Sequence, residues 1–240
     1  SKFGSTSLNL DKLGEYIWTE EDPVFNLYDK SFTFETWIYP TNYNTESTIL
    51  SNGISNTAIN NKLAQRLIIN SSGKLQLIID KSMTGLASNT VLESATVVPL
   101  NQWSHVVLSR DDSGILYLYI NGSLVDKKLY PGLNINFSAG GTFIGSNLST
   151  TPESAQFYGY LDSIRLVKYK PLYTSDTYVV PTSPVGSIDP SLILNLTFDS
   201  QYANGQGNEL LLNFNQVNKT TKLLAGVFNA NSLSSINPNN

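Results

Sequence analysis

Along much of the chain apolar and polar residues alternate with a period of two, the pattern of a strand that buries one face. The clearest alternation lies in residues 32–38, 116–120 and 192–198. Further strands are predicted at 67–69, 75–79, 103–110, 142–145 and 159–167. No convincing amphipathic helix is found. Many short strands separated by turns indicate an all-β sandwich or barrel.

Turn residues set the ends of several predicted strands. Asn121-Gly122 follows the run 116–120, and this dipeptide favours a type I′ hairpin turn because both positions need a positive φ. Residues 70–74 (NSSGK) join two other runs as a second predicted hairpin. Pro40 is expected to end the strand at 32–38, since proline cannot donate a hydrogen bond to a ladder.

The character of the chain changes between residues 168 and 190, where prolines stand among Ser, Thr and Gly. These prolines are Pro171, Pro181, Pro184 and Pro190. Such a composition predicts an extended crossing or linker. We therefore divide the chain into a main domain, 1–183, and a second part, 184–240, that comprises a linker and additional strand material.

The strand predicted at 192–198 has two possible positions. It either docks on the same sandwich, at the edge beside 159–167, or begins the next copy of a tandem array. Its alternating apolar residues are Leu192, Leu194, Leu196 and Phe198. Each large side chain contributes roughly 1.5–3 kcal/mol when it is fully buried, so docking is favoured in an isolated chain.

Composition excludes several classes of function. Only 14% of the residues are charged, the net charge is −4, and there is no Lys/Arg cluster, so nucleic acid is not expected as a partner. The chain has no cysteine and one histidine, which removes disulfides and thiolate metal sites. No apolar run approaches the ~20 residues that a membrane span needs. No signal peptide is seen, and the first residues suggest a cut within a longer protein.

Several segments, taken in order, resemble the laminin-G-like branch of the concanavalin A-like lectin and glucanase family. They are residues 7–17 (SLNLDKLGEYI), 32–40 (FTFETWIYP), 102–107 (QWSHVV), 116–122 (LYLYING), Gly145 and 157–166 (FYGYLDSIRL). The resemblance extends over about residues 7–182, and the closing stretch is similar to versions found in phage, virion and surface proteins. It implies a two-sheet antiparallel jelly roll that binds glycans or proteins.

The same resemblance implies a structural Ca²⁺ as a candidate cofactor. Family members hold the ion with acidic residues of the opening and closing strands, and Asp11 and Asp162 match those positions. The pattern departs at Lys12, where the family has Gly, and at Glu15, where it has Asp. Calcium accepts carboxylate, amide and carbonyl oxygens, which are plentiful in this chain. The alternative is that Asp162 caps a turn and Asp11 is solvated.

Candidate glycan-binding residues come from predicted loops, because loops carry function on such scaffolds. Sugars require aromatic faces for their C–H surfaces and amides for their hydroxyls. The candidates in the stretch 41–62 are Tyr43, Asn44 and Asn52, those around 146–158 are Asn147 and Tyr158, and Trp18 is the tryptophan most expected to be exposed.

An enzymatic function is not indicated. Retaining glucanases of this superfamily carry Glu-x-Asp-x-x-Glu on one strand, which places two carboxylates ~5 Å apart, and no such string occurs here. The acidic groups at 20–22 and 111–112 lie in turn contexts, and His105 has no nucleophile at motif spacing. The acidic groups are interpreted as solvated charges and His105 as a structural residue of a strand.

The sequence therefore predicts a non-catalytic binding or adhesion module of a virion or cell-surface protein, located outside the cell. Its expected partners are a glycan or protein surface and possible further copies of the chain in a virion or multidomain protein. The alternatives left open are a purely structural decoration or assembly domain and, least favoured, a carbohydrate-active hydrolase.

Overall fold

The computed structural model describes residues 1–4, 7–19, 21–44, 46–52, 65–79, 89–136, 141–147, 155–184, 191–196, 198 and 223–225. The strands in chain order are β1 (Leu8–Leu10), β2 (Ile17–Thr19), β3 (Asn26–Tyr28), β4 (Phe32–Pro40), β5 (Glu46–Ser51), β6 (Gln65–Asn70), β7 (Lys74–Ile79), β8 (Asn89–Val97), β9 (Ser104–Arg110), β10 (Ile115–Ile120), β11 (Ser123–Leu129), β12 (Ile135–Asn136), β13 (Thr142–Ile144), β14 (Gly159–Lys168), β15 (Leu192–Leu196) and β16 (Leu223–Ala225). A turn of 3-10 helix, Pro23–Phe25, precedes β3.

Two antiparallel sheets dominate the fold. Within the described ranges, the first sheet has the order β1-β14-β4-β9-β10-β11, with β15 also paired to β14. The second sheet has the order β16-β2-β13-β5-β6-β7-β8, and β12 and β3 form a short separate ribbon. The predicted all-β antiparallel jelly-roll sandwich is confirmed. None of the helices in the described part of the chain is long and apolar enough to cross a lipid bilayer.

The core lies between the inner faces of the two sheets. The first sheet contributes alternate residues of β4, β9 and β10, including Phe34, Leu108 and Leu118, all fully buried. The second sheet contributes alternate residues of β6 and β7, including Leu67 and Leu77. This alternation is the period-two pattern of the sequence, which places every second side chain on the same face of a strand.

The predicted hairpins are present. β10 and β11 are joined by Asn121 and Gly122, whose φ values of 50° and 82° are both positive, as a type I′ turn requires. β6 and β7 pair in register across residues 71–73. Pro40 is the last residue of β4, as expected.

One predicted loop is partly a strand. The stretch 41–62 contains β5 at its centre, where Ile49 and Leu50 enter the core. The apolar residues of β5 are adjacent rather than alternating, and the register shifts between Thr48 and Leu50 where β5 pairs with β6. Such a bulge breaks the two-residue period, which is why the pattern did not reveal this strand.

Strand β15 pairs antiparallel with β14, from Leu196 opposite Ile164 to Leu192 opposite Val167. β1 pairs with the other half of the same edge of β14, through Leu8 opposite Leu161. The two short strands thus share one edge of β14. The domain boundary at 183 and 184 is not tested by this pairing and stays a prediction.

The face that β15 turns inward differs from the predicted one at two residues, Leu192 and Ile193. A register shift between Leu166 and Val167 leaves Ile193 as an extra residue, and Ile193 joins Leu194, Leu196 and Phe198 in the core. Leu192 is buried but lies outside that cluster. Strict alternation had placed Ile193 on the opposite face, and the bulge reverses that assignment.

We predict that removing the chain after Pro184 destabilises the protein, because four core side chains of this segment are lost and the edge of β14 is uncovered. Thermal unfolding of the truncated and intact chains measures the difference. If truncation prevents folding, the point substitution Leu194→Ala should lower the free energy of unfolding by about 2–5 kcal/mol.

The matched control is Leu13→Ala, because Leu13 is 47% exposed. Its effect should stay within about 0.5 kcal/mol, as for most surface substitutions. Equal melting temperatures for Leu194→Ala and Leu13→Ala would contradict the placement of β15 in this core.

Candidate functional site

The outer face of the first sheet, which points away from the second sheet, is covered by residues 169–184. We refer to this segment as the strap. Tyr173 and Tyr178 of the strap pack against Val107, Tyr117 and Tyr119 of β9 and β10. The tyrosines of β10 alternate with its core leucines, so this strand is buried on both faces.

Backbone and side-chain hydrogen bonds fix the strap along its length. At its start Tyr169 N donates to Ser31 O over 2.7 Å, and Leu172 N donates to Thr33 Oγ1 over 2.8 Å. Farther along, Tyr178 N donates to Gly122 O over 2.9 Å. Gly122 also permits close packing, because a Cβ at this position would lie 2.6 Å from Tyr178 O.

A charged network lies under the strap around Glu35, which is 1% exposed. Arg165 contacts Glu35 Oε1 through both Nε and Nη2, and the hydroxyl of Tyr173 donates to Oε2 over 2.7 Å. Nε2 of His105 lies 3.4 Å from Oε2, and its Nδ1 lies 2.6 Å from the hydroxyl oxygen of Tyr178. The carboxylate therefore ties β4, β9, β14 and the strap together.

The environment of Glu35 keeps it ionised. Burial alone would raise its pKa, but the hydrogen bond from His105 and the charges of Arg165 and His105, with the Tyr173 hydroxyl, outweigh burial and lower the pKa. Burial and the neighbouring Glu35 raise the pKa of Tyr173, so its hydroxyl remains a donor at neutral pH. A general acid would need the opposite shift. Glu35 and His105 thus form a buried, hydrogen-bonded pair beneath the strap.

Acidic residues in the turns have structural partners too. Asp111 Oδ1 accepts from the backbone N–H groups of Ser113 and Ile115, and its Oδ2 accepts from the Tyr117 hydroxyl over 2.7 Å. Asp22 Oδ1 caps the 3-10 turn by accepting from Val24 N over 2.8 Å. These carboxylates organise turns, in agreement with their predicted turn contexts.

The predicted ligand residues near β5 are engaged within the fold. The Tyr43 hydroxyl donates to Val98 O, and its ring packs beside the core. Asn52 is fully buried and bridges Gln65 N and Asn136 O. The structure therefore places Asn52 inside the molecule and not in an exposed loop, because the neighbouring strand β5 carries it inward.

The other predicted ligand residues are spread over two regions. Asn44 Nδ2 donates to Gln156 O over 3.0 Å, and Asn147 Nδ2 lies 3.4 Å from Glu46 Oε2, so the fold brings both asparagines to the neighbourhood of Glu46. Tyr158 is half-buried nearby, where its carbonyl accepts from Thr41 N. Trp18 is half-buried in β2, 5.9 Å from the Phe143 ring. Their role in ligand binding stays a prediction.

The two predicted calcium ligands do not meet. Register pairs Leu8 with Leu161 and Leu10 with Gly159, so Asp11 and Asp162 lie about four residues apart along the ladder, roughly 13 Å. Ligands of one Ca²⁺ lie at ~2.3–2.6 Å from the ion. No group of three or more His, Cys, Asp or Glu side chains suited to a metal occurs in the described residues. Calcium as a cofactor of this chain stays a prediction.

Asp162 instead anchors the N-terminal segment. It is fully buried, and its Oδ2 accepts from Lys2 N over 2.9 Å and from Phe3 N over 3.2 Å. The Phe3 ring meets Trp37 edge to face, and the Lys2 ammonium lies 3.9 Å from the centre of the Trp37 ring. Residues 1–4 thus cover Trp37 on the outer face of β4.

A group of residues that the sequence did not single out lies at one end of the first sheet. Tyr28, at the end of β3, and Tyr169, at the start of the strap, are 45% and 61% exposed. Both have a positive φ, 52° and 64°. The ammonium of Lys168 lies 5.6 Å from the Tyr28 ring centre and 5.1 Å from that of Tyr169. We refer to these three residues as the tyrosine–lysine rim.

Sequence reasoning missed this rim because its members come from distant segments. Tyr28 stands before Asp29-Lys30, an ordinary turn signal, and Lys168-Tyr169 opened the predicted linker. The backbone N–H of Tyr169 donates to Ser31 O, and this contact between β14 and the β3–β4 turn brings the two tyrosines to one place. No local pattern encodes such a contact.

We predict that Glu35→Gln destabilises the fold by about 3 kcal/mol, because Arg165 loses its buried counter-charge. The melting temperature should fall by about 6–12 °C at neutral pH. Since the pKa of Glu35 is lowered on folding, its stabilisation is present above the ordinary value of 4.5 and is lost as pH falls further. The gap between wild type and variant should therefore close in acid.

Glu93→Gln serves as the control, because Glu93 pairs with Lys74 at the surface, with side chains 39% and 36% exposed. It should cost at most about 1 kcal/mol. A gap between wild type and Glu35→Gln that stayed constant from neutral pH down to acid would refute the buried-charge account.

We predict that Asp162→Asn lowers the free energy of unfolding by about 1.5–3 kcal/mol, because two hydrogen bonds to an ionised acceptor are weakened. The loss should be the same in EDTA and in excess calcium, and Asp11→Asn should change little. Melting curves of both variants under both conditions test this. A calcium-dependent stabilisation that both substitutions remove would instead support a shared metal site.

The chain is similar in fold to several solved structures. No curated protein matches the chain significantly in sequence. Among solved structures, a candidate carbohydrate-binding protein from Bacteroides ovatus gives a TM-score of 0.53 at 19% identity, over 81% of this chain and 53% of that one. This chain therefore spans about half the length of that protein.

Two further structures share the fold. The CBM40 domain of the Ruminococcus gnavus IT-sialidase gives a TM-score of 0.56 at 17% identity, over 72% of this chain and 95% of that one. The leech intramolecular trans-sialidase gives 0.53 at 18% identity, over 69% of this chain and 26% of that one. The laminin-G-type model of the concanavalin A-like lectin/glucanases superfamily matches residues 13–172, two thirds of the chain, and the protein therefore belongs to this family.

Proposed function

We propose that the protein is a non-catalytic saccharide-binding module of a secreted or surface-exposed protein, and that it binds at the rim of the sandwich. The observation that carries the proposal is the pair of exposed tyrosines, Tyr28 and Tyr169, beside Lys168. Aromatic faces pack against the C–H surfaces of sugars, and a lysine ammonium donates to their oxygens.

The covered sheet face supports the rim as the place of binding. A glucanase-like cleft needs an open face with two carboxylates at working distance. On the outer face of the first sheet, Glu35, His105 and Tyr119 are each at most 1% exposed beneath the strap. The lowered pKa of Glu35 and its contacts with Arg165 and Tyr173 suit a structural role. These features favour binding over hydrolysis.

The similar structures support the saccharide as ligand. The CBM40 domain of the Ruminococcus gnavus IT-sialidase has been solved with α2,3- and α2,6-sialyllactose bound. It shares this fold at 15–16% identity, so it supports a sandwich of this kind as a sugar-binding scaffold without fixing the ligand here. Attachment to a virion or a cell surface, where such a module would act in adhesion, is part of the proposal.

The proposal is tested by applying the intact chain to an array of neutral and acidic glycans and measuring the hits by calorimetry. We expect selective binding to one structural class of saccharide. The chain should release no reducing ends from β-glucans. Turnover that disappears in Glu35→Gln or Asp162→Asn would show an enzyme instead.

A purely structural role predicts a different result. An assembly domain would bind no glycan and would form a defined oligomer at micromolar concentration, measured by light scattering coupled to size exclusion. A monomer that binds a glycan class supports the module, whereas an oligomer that binds none supports the structural alternative.

A further inference from the structure

We infer that the tyrosine–lysine rim recognises carboxylated saccharides, with Lys168 binding the carboxylate and Tyr28 and Tyr169 packing on the sugar. The inference rests on the proposed function and adds to it the chemical class of ligand and the role of each rim residue. A hexuronic acid is the simplest sugar of that class.

The ammonium of Lys168 is buried without a counter-charge among the described residues. Lys168 is 8% exposed, and its Nζ makes one hydrogen bond, at 3.4 Å, to Val24 O. No carboxylate of the described residues lies within ion-pair distance of it; the nearby Asp29 is paired with Lys30 over 3.1 Å. Burying a charge is costly unless it is paired. Two of the three ammonium donors thus have no hydrogen-bond acceptor among the described residues, and we infer that an anionic ligand supplies one.

The backbone at Tyr28 and Tyr169 has a positive φ, which is unfavourable for a non-glycine residue. A left-handed conformation costs a non-glycine residue roughly 1–2 kcal/mol, and Asn or Gly would be the residues favoured there. Both rings remain exposed, so their burial offsets little of that cost. Aromatic residues that occupy strained positions at the surface point to a role outside folding.

The fold fixes the backbone positions of Lys168 and Tyr28. Lys168 ends β14, with its N–H donating to Ser191 O over 2.8 Å, and pairs across the ladder with Phe32. The carbonyl of Tyr28 lies 3.5 Å from Nη1 of the buried Arg110. Both elements are held by the sandwich and not by a free loop, so the ammonium and the rings are positioned before a ligand arrives. Preorganisation of this kind lowers the cost of binding.

The positive charge of Lys168 favours acidic sugars over neutral ones. An ammonium that packs between two rings and lacks a carboxylate forms its strongest hydrogen bonds with an ionised acceptor. The net charge of −4 gives the chain no general attraction for acidic polymers. Selectivity for a carboxylate must then come from the local site, and loss of Lys168 should abolish it.

The test uses oligosaccharides of galacturonate, glucuronate and mannuronate, each beside its carboxyl-reduced neutral counterpart. Calorimetry or ligand-detected NMR with the intact chain should show binding of at least one acidic oligosaccharide, tenfold or more tighter than its neutral counterpart. Lys168→Gln should remove that preference. Tyr28→Asn and Tyr169→Asn should weaken binding at least tenfold, and their melting temperatures should not fall, because Asn tolerates a positive φ.

Lys128→Gln is the matched control, since Lys128 also lies over a tyrosine, with Nζ 5.2 Å from the Tyr130 ring centre, but on another strand. It should bind as wild type does. Melting temperatures identify any variant that fails to fold. If Lys168→Gln does not fold, Tyr169→Asn decides the test, because Tyr169 is exposed.

A sulfated neutral oligosaccharide is also tested, because a sulfate group could bind the Lys168 ammonium in place of a carboxylate.

The outcomes separate the two proposals. Saccharide binding that survives Lys168→Gln and Tyr169→Asn unchanged would overturn the rim as the binding site and the carboxylate assignment with it, but would leave saccharide binding itself in place. Equal affinity for acidic and carboxyl-reduced sugars, or binding of the sulfated sugar alone, would overturn the carboxylate assignment. Absence of binding to any saccharide on the array would overturn both.

Discussion

The ladder of β14 is the constraint on which the rest of the structure depends. β4 pairs along one edge of this strand, and β1 and β15 share the other edge. Its inward residues, among them Leu161 and Leu166, lie in the core, while Arg165 points to Glu35 on the outer face. Where β14 ends at Lys168 the strap begins. One strand therefore positions the core, the buried network and the rim.

The strap changes what the first sheet can do. In an open antiparallel sheet one face packs on the core and the other is solvated. Here the part of the second face beneath the strap is also buried, with a carboxylate, a guanidinium, an imidazole and two tyrosines satisfied among themselves. A fully partnered polar network of this kind stabilises one arrangement of the side chains. The proposed recognition at the end of the sheet takes this burial into account.

Particular residues show how far sequence patterns reach. Asn121-Gly122 specified its hairpin, and the leucines of β10 were assigned correctly to the core, because turn chemistry and alternation are local properties. β5 was missed because a bulge breaks its alternation of apolar and polar residues. A second bulge, where β15 pairs with β14, caused Ile193 to be assigned to the wrong face. Of the predicted site residues, Asn52 and Asp162 proved to be buried structural groups, and the rim was not foreseen.

By itself the sequence determined the fold class, the hairpins, the family and the absence of a glucanase carboxylate motif, since each depends on residue type and short spacing. The tertiary structure alone decided that the strap covers Glu35 and His105 on the outer face and that Tyr28 meets Lys168 and Tyr169. Those contacts join residues about 140 positions apart, and no local pattern specifies them. They follow from the burial of two sheet faces at once, which only the packed chain defines.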